Sequence, residues 1–228
     1  TVKNYHTVED VKRVRASVKN AELLVRINPV NSDTQQEVDA VINAGADVIM
    51  LPMWTSAAEV KLLLSFVNGR AKVLPLLETA QAADCINEVL SIDKIDEIHI
   101  GLNDLTISQG KRFLFELFVD GTVDALADIL KKSGTPFGVG GVGTVGADIA
   151  VPAENILAEH YRVGSSMVIL SRSFCNIGDY DNISDFERDF IFRINSNREY
   201  ERFLEKQNDS FFAQKHNETK HLISRLLK

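Results

Sequence analysis

Two short runs decide how this chain folds: Glu97-Ile-His-Ile-Gly-Leu-Asn-Asp104-Leu-Thr-Ile-Ser-Gln-Gly110 and, upstream, Leu74-Pro-Leu-Leu-Glu78-Thr-Ala. Each reads as a short apolar strand, the second extending over Ala71–Glu78 and the first over residues 97–104, with one carboxylate at its C-terminal end. Two acids on neighbouring strand ends repel each other, and a hard cation between them is the usual remedy in an oxygen-rich site. Glu78 and Asp104 are therefore candidate ligands of a divalent metal.

Working outward from these runs, helix and strand signals alternate. Thr7-x-x-Asp10 caps an amphipathic helix with Val8, Val11, Val14 and Val18 on one side, and Glu22–Pro29 is a strand interrupted by Arg26. Ser32-x-x-Gln35 predicts a capping box for a helix ending at Gly45, followed by a strand over Ala46–Met53. Ser56-x-x-Glu59 opens the next helix, closed by Gly69. A helix near residues 80–92, one or two helices between 111 and 133, a glycine-dense strand over Pro136–Gly143, a helix over Pro152–Tyr161 and a strand over Ser166–Ser171 complete the alternation. From about Ser184 the chain is charged, with Phe186, Phe190, Phe192, Ile194 and Phe203 at roughly helical spacing, which predicts one or two terminal helices.

Alternation of this kind means an α/β fold with a parallel sheet. Six strands are found where a (β/α)8 TIM barrel has eight. The expected fold is such a barrel with its first β-α-β unit absent from this chain. Residues 1–183 would run from the barrel's second helix to its eighth strand, and 184–228 would form C-terminal helices, part of the same domain or an oligomer interface. An unclosed barrel leaves two sheet edges open.

Composition narrows the partners. A net charge of −7 argues against nucleic acid or an anionic membrane, since both demand a basic face. No apolar run reaches the roughly 18 residues a membrane span needs. Cys85 and Cys175 have no metal-ligand or C-x-x-C spacing, so reduced thiols in a cytoplasmic protein acting on small molecules are expected.

Leu24-Val-Arg26-Ile-Asn, Ala46-Asp-Val-Ile-Met-Leu-Pro52-Met, Leu76-Leu-Glu78-Thr and Ile100-Gly-Leu-Asn-Asp104-Leu together resemble the HpcH/HpaI 2-keto acid aldolase and citrate lyase β-subunit family, across about residues 7–175. The resemblance implies a barrel in which Glu78 and Asp104 bind Mg2+ or Mn2+. It also implies that Arg26, the candidate catalytic and substrate-binding residue, holds a pyruvate-type carboxylate. The expected chemistry is metal-dependent cleavage or formation of a carbon–carbon bond with a 2-keto acid such as pyruvate or oxaloacetate. Two other readings stay open: a catalytically silent barrel subunit or scaffold, and a phosphoenolpyruvate-binding module like those of phosphoenolpyruvate synthase and pyruvate phosphate dikinase.

Weaker positions complete the candidate site. Gly141, with Gly138, Gly140 and Gly143, either lets backbone approach a ligand or only permits tight turns. Arg172, after the last strand, either binds a second anionic group of the substrate or makes a structural ion pair. Met53, with Trp54, either walls the pocket or packs. Asn103, read as strand, should point away from Asp104, and His99 should face the helices. His160 reads as structural or interfacial, and none of the five histidines maps onto a general base. The C-terminal phenylalanines need an apolar surface, so a homo-oligomer formed through the terminal helices is expected.

Overall fold

A computed structural model describes residues 6–228, which divide into two compact units, residues 6–109 with 133–136 and residues 110–132 with 137–228. The first unit opens with α1 (Val8–Ser17), β1 (Leu24–Arg26), α2 (Thr34–Asn43), β2 (Val48–Leu51) and α3 (Ala57–Val67). It continues with β3 (Lys72–Leu77), α4 (Ala80–Asp84), α5 (Ile86–Leu90), β4 (Ile98–Ile100) and α6 (Leu102–Ser108). Its strands are parallel and lie in chain order, with Val48 opposite both Leu24 and Lys72 and Leu76 opposite His99. Val48, Met50, Leu74 and Leu76 form one buried cluster, while Ile49, Leu51, Val73 and Leu77 take the opposite face by alternation and are also buried. Burial on both faces is why these strands read as continuous apolar runs.

The second unit holds α7 (Glu116–Val119), α8 (Thr122–Ser133), β5 (Phe137–Val142), α9 (Ala153–Val163), β6 (Met167–Leu170), a 3-10 turn (Ile177–Asp179), α10 (Ile183–Leu204) and α11 (Asp209–Leu226). β5 and β6 are parallel, with an irregularity in register between Gly138 and Gly141. α11 packs on α9. There the Tyr161 and Phe212 rings stack at 6.4 Å, Asn155 Nδ2 donates to Thr219 Oγ1 at 3.1 Å, and His216 pairs with the buried Glu159 at 2.9 Å. No helix of the described residues is long and apolar enough to cross a membrane.

The capping boxes at Thr7 and Ser56 form as their sequences require. Three local expectations are corrected. Ser32 opens no capping box, because α2 starts at Thr34 after an Asx turn in which Asp33 N donates to Asn31 Oδ1 at 2.8 Å. The helix expected near 80–92 is two short helices meeting at Cys85, which ends one and starts the other. The strand expected to reach Asp104 stops at Ile100. Gly101 then caps α6, where Leu102, Leu105 and Thr106 are buried at helical spacing.

Edges are left open as expected. Among the described residues β1 pairs only with β2 and β6 only with β5, and Leu24, Ile169 and Leu170 are exposed. The valine stripe of α1 is little covered: none of its residues is buried, and Val14 is 43% exposed.

Candidate functional site

Glu78 follows the last residue of β3 and is only 4% exposed. Its Oε1 accepts a hydrogen bond from the Met53 amide at 3.0 Å, across the turn that leaves β2. That turn needs an unusual backbone, since Met53 sits at φ 53°, a left-handed conformation uncommon for a residue other than glycine. On the other side lies Gly101. A Cβ there would stand 2.9 Å from Glu78 Cβ and 3.1 Å from its Oε2, so the absence of a side chain makes the space that Glu78 occupies.

Asp104 lies in the first turn of α6, half-buried, and makes no hydrogen bond or ion pair among the described residues. A helix-borne rather than strand-borne aspartate also corrects the reading of Asn103, which is its exposed neighbour on a helix. Arg26 ends β1, is exposed, and likewise has no hydrogen bond or ion-pair partner among the described residues. Glu78 feels both of the other groups. Burial pushes the Glu78 carboxyl above its ordinary value, the Met53 amide pulls it back, the Asp104 charge raises it and the Arg26 charge lowers it.

This donor set fits a hard divalent cation. Two carboxylates with no cationic partner bonded to either suit an ion such as magnesium, which keeps several waters and takes only one or two carboxylates from protein. No group of three or more His, Cys, Asp or Glu suited to a metal occurs among the described residues, so the rest of the coordination shell would come from water and substrate oxygens. Arg26 supplies an unoccupied planar fork of donors of the kind that binds carboxylates in two-point fashion.

The other candidates are placed differently. Met53 contributes its amide to Glu78, while its side chain is 44% exposed; Trp54 is buried. Gly141 and Arg172 belong to the second unit. A Cβ on Gly141 would come within 3.2 Å of the Ile169 carbonyl, so this glycine lets β5 and β6 lie close together. Arg172 is exposed and has no bonded partner among the described residues. His99 is buried in β4, and His160 is buried beside Phe118 with Nδ1 3.0 Å from Ser165 Oγ, a structural placement.

Several contributors escaped sequence reasoning. The Thr79 hydroxyl donates to the Trp54 carbonyl at 2.8 Å and accepts from the Ala82 amide at 3.0 Å. In the second unit Asn197 of α10 accepts from the Val145 amide at 2.8 Å and donates to the Gly143 carbonyl at 3.0 Å, while Arg193 donates to the Phe174 carbonyl at 2.9 Å. Thr79 carried a detectable signal, a threonine next to the candidate ligand at a helix start. Asn197 carried none, because a polar residue in a charged helix reads as solvent-facing.

Residues 5–149 match the sequence profile of the family described as HpcH/HpaI aldolase/citrate lyase. No curated protein matches the chain. An HpcH/HpaI aldolase from Desulfitobacterium hafniense DCB-2 aligns with a TM-score of 0.59 at 18% identity, covering 73% of each chain. RipC from Yersinia pestis aligns with a TM-score of 0.57 at 15% identity, covering 80% of this chain and 81% of that one. CitE from Mycobacterium tuberculosis, solved with magnesium and acetoacetate, aligns with a TM-score of 0.50 at 18% identity over 74% of each chain. At these identities the likeness is one of fold.

Proposed function

The chain belongs to the HpcH/HpaI aldolase/citrate lyase family, and from that premise we propose that it is a metal-dependent carbon–carbon lyase acting on a pyruvate- or oxaloacetate-type 2-keto acid. The observation that carries this reading is the electrostatics at Glu78: a buried carboxylate, raised further by Asp104, with no cation bonded to either acid and with an unpaired guanidinium near enough to act on it. Such an arrangement is unfavourable by itself and becomes favourable when a dication and an anionic ligand enter together.

Glu78 and Asp104 would hold Mg2+ or Mn2+. When bound, the cation supplies Lewis-acid stabilisation of the negative charge that grows on a keto oxygen as a carbon–carbon bond breaks. Arg26 binds the substrate carboxylate through its fork and fixes the orientation of the keto group beside it. The Met53 amide holds one oxygen of Glu78, so the carboxylate meets its ligand already oriented. Gly101 keeps the approach to that carboxylate free of side-chain bulk. The similarly folded Mycobacterium tuberculosis CitE holds magnesium and acetoacetate, a divalent cation and a keto acid whose keto group lies one carbon further from the carboxylate than in a 2-keto acid.

The test is calorimetric titration of Mg2+ and Mn2+, with and without pyruvate or oxaloacetate, into the wild type and into Glu78→Ala, Asp104→Ala and Arg26→Ala. Metal binding should disappear in the first two variants. In the third the metal should still bind, with keto-acid binding weakened at least tenfold. A wild type that binds neither metal nor keto acid would replace the lyase by a silent scaffold.

A further inference from the structure

The residue after the metal-binding glutamate is buried and fully engaged. Thr79 is 4% exposed, and its one hydroxyl proton goes to the Trp54 carbonyl while its oxygen accepts from the Ala82 amide. Consecutive residues are thus cross-linked in pairs, Met53 to Glu78 and Trp54 to Thr79. Met53 is left-handed, a conformation that a non-glycine residue keeps only when its surroundings enforce it.

We propose that Thr79 is a positioning residue for Glu78: its hydroxyl latches the β2–α3 turn onto the end of β3 and so keeps the Met53 amide on Glu78 Oε1. This rests on the metal-binding reading of Glu78. Trp54, 1% exposed, anchors the turn by packing, but a buried ring does not by itself set the peptide orientation at the preceding residue. The hydrogen bond to the Trp54 carbonyl fixes the peptide that leaves Trp54 and so pins the far side of the turn to the end of β3. When it is lost, Met53 relaxes toward an ordinary backbone and its amide swings off the carboxylate. Glu78 then meets the cation with its orientation no longer set, and supporting contacts of this kind change metal affinity by about 10- to 100-fold. Serine preserves the hydroxyl, and valine preserves the shape without it.

The experiment titrates Mn2+ into the full chain by calorimetry, with fluorescence of Trp54, the only tryptophan, as a second readout. Thr79→Val should weaken Mn2+ binding about tenfold, Thr79→Ser should restore it to within about twofold, and Asn208→Ala, which removes the cap of α11 in the second unit, should leave it unchanged. A folded Thr79→Val that binds Mn2+ as tightly as wild type overturns the proposal. Should Thr79→Val not fold, or wild type bind no metal, native-state hydrogen exchange of the wild type decides. One latch requires the Met53 and Ala82 amides to open together with a single free energy, and independent exchange of Met53 overturns the proposal. A wild type without Mn2+ binding but with coupled exchange overturns only the metal-binding reading and leaves the latch standing.

Discussion

Burial and the Asp104 carboxylate hold the Glu78 carboxyl above its ordinary value of 4.5, and this makes an ionised Glu78 a liability in the metal-free protein. At pH below the unfolded-state value both states are protonated and nothing is lost. As pH rises the unfolded chain ionises first, so stability falls until pH passes the raised folded value. Glu78→Gln keeps the acceptor for the Met53 amide and removes the charge. The metal-free variant should therefore melt higher than wild type at neutral pH, the gain should vanish on acidification below 4.5, and calorimetry should show metal binding abolished. Gly101→Ala tests the space beside the same carboxylate. Its φ suits alanine, so the effect comes from the added methyl pressing on Glu78. Overpacking of this kind costs about 1–3 kcal/mol, and displacement of a ligand should weaken Mg2+ binding by about tenfold or more. Denaturant melts and Mg2+ titration would measure the two effects separately.

At the scale of elements, β3 delivers Glu78, the first turn of α6 delivers Asp104, and the turn after β2 orients Glu78. β2 and β3 pair in register from Val48 opposite Lys72, which brings the turn at Met53 level with Glu78. In the second unit α10 plays a comparable part, with Asn197 closing hydrogen bonds to both sides of Thr144, whose own hydroxyl donates to the Phe174 carbonyl at 3.0 Å. Asn197 is 5% exposed, and Asn197→Ala strands two part-buried backbone groups, so it should destabilise the protein by about 1–3 kcal/mol. Amides of residues 143–146 should lose hydrogen-exchange protection in that variant, while the Met53 amide of the first unit keeps its own.

For the whole molecule the informative surface is apolar and exposed. Ile191 and Phe192 of α10 are 60% and 67% exposed, and Ile183 and Phe203 of the same helix are also open to solvent. Large side chains held out on a folded helix favour association with another apolar surface. Sedimentation at micromolar concentration should show a homo-oligomer, and a double substitution, Ile191→Lys with Phe192→Ser, should shift it toward monomer with little change in far-UV circular dichroism. A wild type that sediments as a monomer would remove the terminal helices from consideration as an interface.

Residue types and periodicity determined the alternation of elements, the order of the six strands, two capping boxes and the pair of acids, because burial on both faces of a parallel strand and the 3.6-residue helix period are written directly in the sequence. Glu78 was legible as a strand-end carboxylate for that reason. The helical setting of Asp104 was less so. Ile98 to Asp104 is apolar enough for a strand, but after Ile100 only the Gly101 amide still bonds the neighbouring strand, at 2.8 Å to the Leu77 carbonyl, while the Gly101 carbonyl already accepts from the Leu105 amide at 3.2 Å as the chain turns into α6. Only tertiary structure could decide the left-handed Met53, the amide on Glu78, the Thr79 latch and the Asn197 bridge. Each depends on a hydrogen bond between residues 25 or more positions apart, and such bonds leave no periodic trace in a chain read locally.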